Sequence, residues 1–314
     1  MDTRYWILDI EIGSTNHPPS LSCLPTGGAT AGNTNQKPGT RKKEPETSLY
    51  PVSPNFAPNL TELEQKIRVG AVSYLNTKPL LYGIQHSPVI ERIRLVLDYP
   101  SQIATYLQKQ EIDLGLVPVA VIPTLPEYHI VSDYCIGCDG PVASVCLFSE
   151  CPMAEIEEVL LDYQSKTSVA LLKILLNRYW KISPRLVAAK SEDYRHQIQG
   201  KTAGLVIGDR ALEQRRVSTY IYDLGEAWKD YTGLNFVFAA WVSNRKLDHS
   251  FVHDFNEANR KGVESIDQVL EENKYEIFNL DRYYRYHINY KLDERKKLGM
   301  EEFLFQLNQL SPVQ

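Results

Sequence analysis

Several classes of protein are excluded by what this sequence of 314 residues lacks. It has no apolar run approaching the roughly 20 residues that span a bilayer. The apolar start at 5–8 is interrupted by Asp9 and Glu11 and lacks the basic and apolar regions of a signal peptide. Positive charge is not in excess, since 34 basic and 39 acidic side chains give a net charge of −5. We therefore expect neither a membrane nor a nucleic acid as partner.

Motifs for metals and nucleotides are also missing. The five cysteines are an odd number in a long chain, which favours reduced thiols and a cytoplasmic location. Cys135 and Cys138 have C-x-x-C spacing, but the cysteines that follow do not complete a zinc ribbon. His249 and His253 are four residues apart without a third ligand. No phosphate loop, dinucleotide fingerprint or nucleophile elbow occurs, so we expect no metal and no cofactor.

The first 65 residues differ in composition from the rest. Gly, Ser, Thr and Asn are frequent there, and such a stretch buries too little apolar surface to offset chain entropy. We therefore predict a disordered extension over 1–65, in which 4–10 has the pattern of a short strand. Eight of the 18 prolines lie in this extension, at 18, 19, 25, 38, 45, 51, 54 and 58.

From Lys66 onward, apolar strands alternate with amphipathic helices, which indicates an α/β fold with parallel strands. Two long apolar strands, predicted near 142–148 and 236–242, divide this pattern into two units. We predict a first lobe over 66–143 and 236–314, and a second lobe over 144–235. Ligands of open α/β sheets bind at the carboxyl ends of strands, so the strand-to-helix turns beside a cleft between the lobes are the candidate sites.

Three of these turns carry groups suited to binding. Asn76 and Thr77 follow the first strand, and either a ligand contact or ordinary helix capping explains them. Gly140 would let the backbone approach a ligand and Ser144 would offer a hydroxyl, although a Gly-Pro turn that leads into a strand is the simpler explanation. Three hydroxyls, at Ser165, Thr167 and Ser168, exceed what capping needs and favour an anion site at a helix start. Asp209, at another strand-to-helix turn, is most simply an N-cap.

At Val69-Gly70-Ala71-Val72-Ser73-Tyr74-Leu75-Asn76-Thr77-Lys78-Pro79-Leu80 the sequence resembles the chorismate dehydratase family, the first enzyme of the futalosine route to menaquinone. The resemblance covers about 66–310, and Lys166 departs from it, since the family often has Arg there. The extension has no counterpart. The other matching motifs are Gly115-Leu116-Val117-Pro118-Val119-Ala120, Gly140-Pro141-Val142-Ala143-Ser144-Val145, Ser165-Lys166-Thr167-Ser168, Ile207-Gly208-Asp209, the loop 223–228 and Phe236-Val237-Phe238-Ala239-Ala240-Trp241.

The resemblance implies a two-lobed fold similar to type II periplasmic binding proteins, with the site in the interlobe cleft. It implies a carbon–oxygen lyase that removes water from chorismate to give 3-[(1-carboxyvinyl)oxy]benzoate. Asn76 and Ser144 are then the expected catalytic residues. The expected substrate-binding residues are Tyr74, Thr77, Gly140, Val142, Ser165, Thr167, Ser168 and Asp209.

The reaction must remove the ring 4-hydroxyl and the C3 proton, whose electrons delocalise into the ring carboxylate. Donors at a helix start would stabilise that charge. Lys166 is the candidate protein base in the motif turns, and the substrate's enolpyruvyl carboxylate is the alternative base. Two other functions remain open. One is a solute-binding protein without catalysis, which is usually exported. The other is the related 1,4-dihydroxy-6-naphthoate synthase, whose family has a histidine-centred site.

Overall fold

The alternation of strands and helices from Lys66 onward is present in the computed structural model, which describes Trp6–Ile7 and residues 66–310. The predicted disordered extension, 1–65, lies outside the described residues except for Trp6–Ile7. By its contacts the chain divides into two units, 1–8 with 64–314 and 9–63, and the described residues belong to the first.

The described strands form two sheets, one of seven strands and one of five. Strand β11 confirms the predicted strand at 236–242. In chain order they are β1 (Trp6–Ile7), β2 (Ile67–Val72), β3 (Ile93–Asp98), β4 (Leu114–Pro118), β5 (His129–Cys138), β6 (Val145–Ser149), β7 (Glu158–Leu161), β8 (Arg185–Ala188), β9 (Thr202–Ile207), β10 (Tyr220–Asp223), β11 (Phe236–Ser243) and β12 (Asn289–Lys291).

The helices cover the faces of these sheets. Helix α6 packs on α1 at very short range, since a Cβ atom on Gly83 would lie 1.9 Å from the Ala258 carbonyl oxygen. The helices are α1 (Lys78–Gln85), α2 (Pro100–Gln108), α3 (Lys166–Ile174), α4 (Asp209–Gln214), α5 (Leu224–Thr232), α6 (His249–Glu264), α7 (Ile266–Glu272), α8 (Leu280–Arg282) and α9 (Glu294–Asn308).

The larger sheet has the order β1-β3-β2-β4-β11-β5-β12. Strands β3, β2 and β4 are parallel and are joined by helical crossovers, as predicted. Strand β11 lies between β4 and β5 and is antiparallel to both, which explains why all eight of its residues are buried. The predicted strand near the start of the extension is present as β1, which pairs antiparallel with β3 at the sheet edge.

The smaller sheet has the order β10-β6-β9-β7-β8, and all of its strands lie between Val145 and Asp223. Strands β8, β7 and β9 are parallel, while β6 is antiparallel to β9 and β10. In both sheets, therefore, parallel strands end in strand-to-helix turns, as expected for the binding-protein-like fold. The exact bounds of the two lobes stay a prediction.

The chain passes from the larger to the smaller sheet differently from our prediction. The expected long strand over 142–148 is wrong at its start, because β6 begins only at Val145 and the preceding strand is β5, which was not predicted. Residues 139–144 form the crossing. The Ser144 N–H donates to the Val142 carbonyl at 2.8 Å and closes a three-residue turn around Ala143, whose φ is +64°. Such a tight turn ends strand geometry.

Candidate active site

A cavity lies between the two sheets, where the turns after β2 and β4 meet those after β7 and β9. The space that it leaves for water-sized groups is about 50 Å³, and its lining comes from both sheets. Its walls are largely apolar, and among the described residues that line it none is Arg, Lys, His, Asp or Glu. The apolar walls include Val72, Pro118, Ile136, Val145, Ile207 and Phe238.

Most of the residues predicted from the sequence come together at this cavity. Gly140, Thr167 and Asp209 do not line it, and their predicted substrate contacts are not supported by this geometry. The seven that line it are Tyr74, Asn76, Thr77, Val142, Ser144, Ser165 and Ser168.

Asn76 lies in a short 3-10 turn, Leu75–Thr77, between β2 and α1. The Thr77 hydroxyl donates to Asn76 Oδ1 at 3.1 Å, and Tyr290 donates to the Asn76 carbonyl at 3.0 Å. With this amide orientation the Asn76 side-chain oxygen accepts from Thr77, and no described residue accepts from the NH₂ group. Its amide NH₂ group is therefore the part that is available to a ligand in the cavity.

Ser165 and Ser168 stand at the start of α3. Ser165 is the N-cap: its Oγ accepts from the Ser168 N–H at 3.2 Å and donates to Ser168 Oγ at 3.0 Å. The Ser168 oxygen thus already accepts one proton, and its own proton is free to point into the cavity. Because the first-turn N–H groups of a helix have no intrahelical acceptor, this corner attracts negative charge. Ser165 therefore caps the helix, and the anion-binding role of the same turn stays a prediction.

Ser144 ends the crossing between the sheets and is fully buried. The Tyr283 hydroxyl donates to Ser144 Oγ at 2.7 Å. Tyr283 and its neighbour Tyr284 are buried, whereas Tyr286 is exposed. The contact with Ser144 had no signal in the sequence, because the two residues are 139 positions apart.

The Thr167 side chain forms a hydrogen bond between the two sheets and does not line the cavity. It is fully buried, and its Oγ1 accepts from the Ala120 N–H, which follows β4, at 3.1 Å. Successive residues of an α-helix point about 100° apart, so Thr167 and Ser168 cannot face the same surroundings. Our expectation that all three hydroxyls of this turn bind an anion is therefore corrected to Ser165 and Ser168.

Asp209 is likewise not the N-cap that the sequence indicated. Gly208 is the cap of α4, with φ +65°, and Asp209 is the first helical residue. The Asp209 carboxylate instead accepts from the Leu75 N–H at 3.0 and 3.3 Å, across the cleft. Burial raises the pKa of this carboxyl to about 6, although the Leu75 N–H favours its charged form.

Gly140 contributes to the shape of the crossing, where its φ is +98°. Asp223 holds the same crossing: its carboxylate accepts from the N–H groups of Val142 at 3.0 Å and Ala143 at 2.7 Å. It is also the N-cap of α5. The sequence indicated a folded loop at 223–228, and the structure shows a capped helix whose cap shapes one wall of the cavity.

A buried polar network beside the cavity was missed by the sequence analysis. The Tyr74 hydroxyl donates to Gln164 Oε1, and Arg210 Nη2 donates to the same oxygen at 2.7 Å. Arg210 Nη2 also donates to Asp162 Oδ2 at 2.9 Å. Burial raises the pKa of Asp162 even though Arg210 opposes the shift. The sequence signal that could have found this network is position, since its polar members Asp162, Gln164 and Arg210 closely follow strands.

The described residues lack the features of a metal site and of a membrane span. Among them, no group of three or more His, Cys, Asp or Glu side chains is placed to hold a metal ion. The four cysteines within residues 66–310 are buried free thiols. No described helix is both long and apolar enough to cross a membrane.

Residues 67–309 match the sequence model of a protein family described as menaquinone biosynthesis. The chain belongs to this family. One relative, the chorismate dehydratase of Thermus thermophilus, is 27% identical over 258 residues, which are 75% of this chain and 93% of that protein.

Solved structures similar to this family member show its fold. A protein from Archaeoglobus fulgidus has a TM-score of 0.61 at 14% identity and covers 78% of this chain and 97% of its own. A Candida albicans gene product with the generic periplasmic binding protein fold has a TM-score of 0.54 at 10% identity, covering 79% and 92%. The alkanesulfonate-binding protein SsuA of Xanthomonas axonopodis pv. citri has a TM-score of 0.52 at 14% identity, covering 79% and 95%. The expected binding-protein-like fold is confirmed.

Proposed function

We propose that this chain is a hydro-lyase that removes water from chorismate to give 3-[(1-carboxyvinyl)oxy]benzoate, within menaquinone biosynthesis. The similarity to the Thermus thermophilus chorismate dehydratase and the menaquinone family support this proposal. The cytoplasmic location inferred from the cysteines stays a prediction.

The observation that carries the proposal is the polarity of the cavity. Three side chains that line it, Asn76, Ser144 and Ser168, each accept a hydrogen bond from a protein neighbour. Each therefore keeps a donor for a ligand. Neutral donors and a helix start bind carboxylates without a salt bridge, and the apolar walls suit a flat ring.

The same groups fit the chemistry. When the C3 proton leaves, its electrons delocalise into the ring carboxylate, and the 4-hydroxyl then departs from C4 as the ring becomes aromatic. Ser165, Ser168 and the start of α3 would stabilise the charge on that carboxylate. Asn76 and Ser144 would hold the second carboxylate or the departing hydroxyl.

The cavity lining supports one of the two candidate bases over the other. Among the described lining residues Tyr74 is the one with a titratable side chain, and burial raises its pKa above the ordinary value, so it keeps its proton at neutral pH. Lys166 does not line the cavity. This supports removal of the C3 proton by the enolpyruvyl carboxylate of the substrate itself.

The decisive experiment is to incubate the purified chain with chorismate and follow the product by mass spectrometry. We expect the loss of one water and the appearance of a substituted benzoate. Ser144→Ala should slow this conversion, whereas Ser191→Ala, at an exposed serine outside the cavity, should not. Chorismate that binds and is recovered unchanged would favour a solute-binding protein. The naphthoate synthase alternative is disfavoured because the described lining holds no histidine.

A further inference from the structure

The contact between Tyr283 and Ser144 joins the last third of the chain to the crossing between the sheets. Tyr283 is fully buried, and its hydroxyl lies 2.7 Å from Ser144 Oγ. Among the described residues this oxygen is its hydrogen-bond partner. A buried hydroxyl without a partner is costly, so the pair has a structural reason to persist.

The direction of this hydrogen bond is set by the surroundings. Burial raises the pKa of Tyr283 well above its ordinary value, so the phenol keeps its proton, and Ser144 Oγ is the acceptor that the described residues offer to that proton. The backbone of Ser144 is also held on both sides. Its N–H donates to the Val142 carbonyl, and its carbonyl accepts from the Gly208 N–H, both at 2.8 Å. With Ser144 Oγ accepting from Tyr283, the serine proton is left to point toward the cavity that Ser144 lines.

We propose that Tyr283 is a positioning residue that holds the Ser144 hydroxyl as a hydrogen-bond donor to the bound substrate. The substrate part of this inference rests on the proposed function. Tyr283 does not line the cavity, so it acts through Ser144 and not on the substrate. Without the phenol, the Ser144 hydroxyl can rotate among several rotamers, and its donor is no longer directed before the substrate binds.

A double-mutant cycle tests this assignment. Tyr283→Phe should lower kcat/KM about threefold to tenfold, the range for one neutral hydrogen bond, with part of the change in KM because Ser144 contacts the bound substrate. In the Ser144→Ala background the same substitution should change kcat/KM by less than about twofold, because the group that it positions is already gone.

Tyr284→Phe is the matched control. Tyr284 is the adjacent buried tyrosine, and within the described residues its hydroxyl has no hydrogen-bond partner. This variant loses the same atom and should keep the wild-type kcat/KM. The proposal is wrong if Tyr283→Phe behaves like Tyr284→Phe. It is also wrong if Tyr283→Phe causes the same fold-loss of kcat/KM in the Ser144→Ala background as in wild type, which a general effect on folding would produce.

Two readouts do not depend on turnover. A crystal structure of Tyr283→Phe should show Ser144 Oγ displaced or in several rotamers, and an unchanged serine rotamer would overturn the proposal. Isophthalate, an unreactive aromatic dicarboxylate, should bind more weakly to Tyr283→Phe than to wild type. The double variant should bind it as Ser144→Ala does. If wild-type protein does not dehydrate chorismate, the proposed function fails, and these two readouts still decide the role of Tyr283.

Discussion

Two turns of the smaller sheet reach the same cleft, and their polar side chains have different partners. The turn after β7 places Ser165 and Ser168 at the cavity. The turn after β9 sends the Asp209 carboxylate across the cleft to the Leu75 N–H. Both turns follow a parallel strand and start a helix, so their local patterns are alike. The difference is therefore one of tertiary partners.

The same difference in partners separates two adjacent residues of the turn after β7. Ser168 faces the cavity, whereas its neighbour Thr167 accepts from Ala120 on the other side of the cleft. A binding cleft between two sheets needs both kinds of contact, one for the ligand and one to hold the walls at a fixed distance. The variants below separate the two.

The largest expected effect is a pH-dependent change in stability at Asp209. Its pKa of about 6 exceeds that of an unfolded aspartate, so the folded state binds a proton more readily. Wild-type protein should therefore lose stability as the pH rises from about 4 to about 6. Asn does not titrate. The unfolding free energy of Asp209→Asn should therefore rise relative to that of wild type by at most about 3 kcal/mol over this range, and the difference should stay constant at higher pH.

Thermal midpoints of both proteins between pH 4 and 8 measure this difference. Asp230→Asn, at an exposed carboxyl of α5, is the control and should show no comparable trend. A difference between Asp209→Asn and wild type that stays constant with pH would show that partial burial does not raise the pKa of Asp209.

The next largest effect is catalytic and concerns Ser168. Losing one hydrogen bond to a charged group costs about 1.5–3 kcal/mol, which corresponds to roughly a tenfold to hundredfold loss of kcat/KM in Ser168→Ala. The thermal midpoint should change little, since Ser165 remains as the cap. Steady-state kinetics with chorismate provide the measurement, and wild-type kinetics in this variant would contradict the anion site at α3.

Thr167→Val should show the opposite pattern. It removes the acceptor of the Ala120 N–H in a fully buried place, at a cost of about 1–2 kcal/mol of unfolding free energy. The expected loss of kcat/KM is below about threefold. Thr105→Val, which loses only a bond within helix α2, is the matched control. If Thr167→Val reacts as slowly as Ser168→Ala, the two residues do not have separate roles.

The smallest effect is expected from removing residues 1–63. The described residues lose only the two-residue ladder of β1 at the sheet edge. A chain that begins at Glu64 should melt within a few degrees of the full chain and keep its kcat/KM, as calorimetry and kinetics can establish. A fall in either beyond that range would show that the first 63 residues support the site.

Much of the fold and part of the site were predictable from local patterns. Apolar runs identified β2, β4, β7, β9 and β11, and the turns after them contain most of the polar groups that line the cavity. Strand β5 was missed because its burial is mixed and its residues do not alternate cleanly. The start of β6 was misplaced because the apolar run from Val142 continues through the tight turn at Ala143.

The sequence by itself determined which turns would reach the cleft, since strand ends and helix starts follow from local periodicity. Only the tertiary structure decided which side chains face the ligand. Thr167 and Ser168 are adjacent hydroxyls, yet one accepts from Ala120 and the other from Ser165 at the edge of the cavity. The partners of Asp209 and Ser144 lie 134 and 139 residues away along the chain, and no local pattern encodes a contact over such a separation.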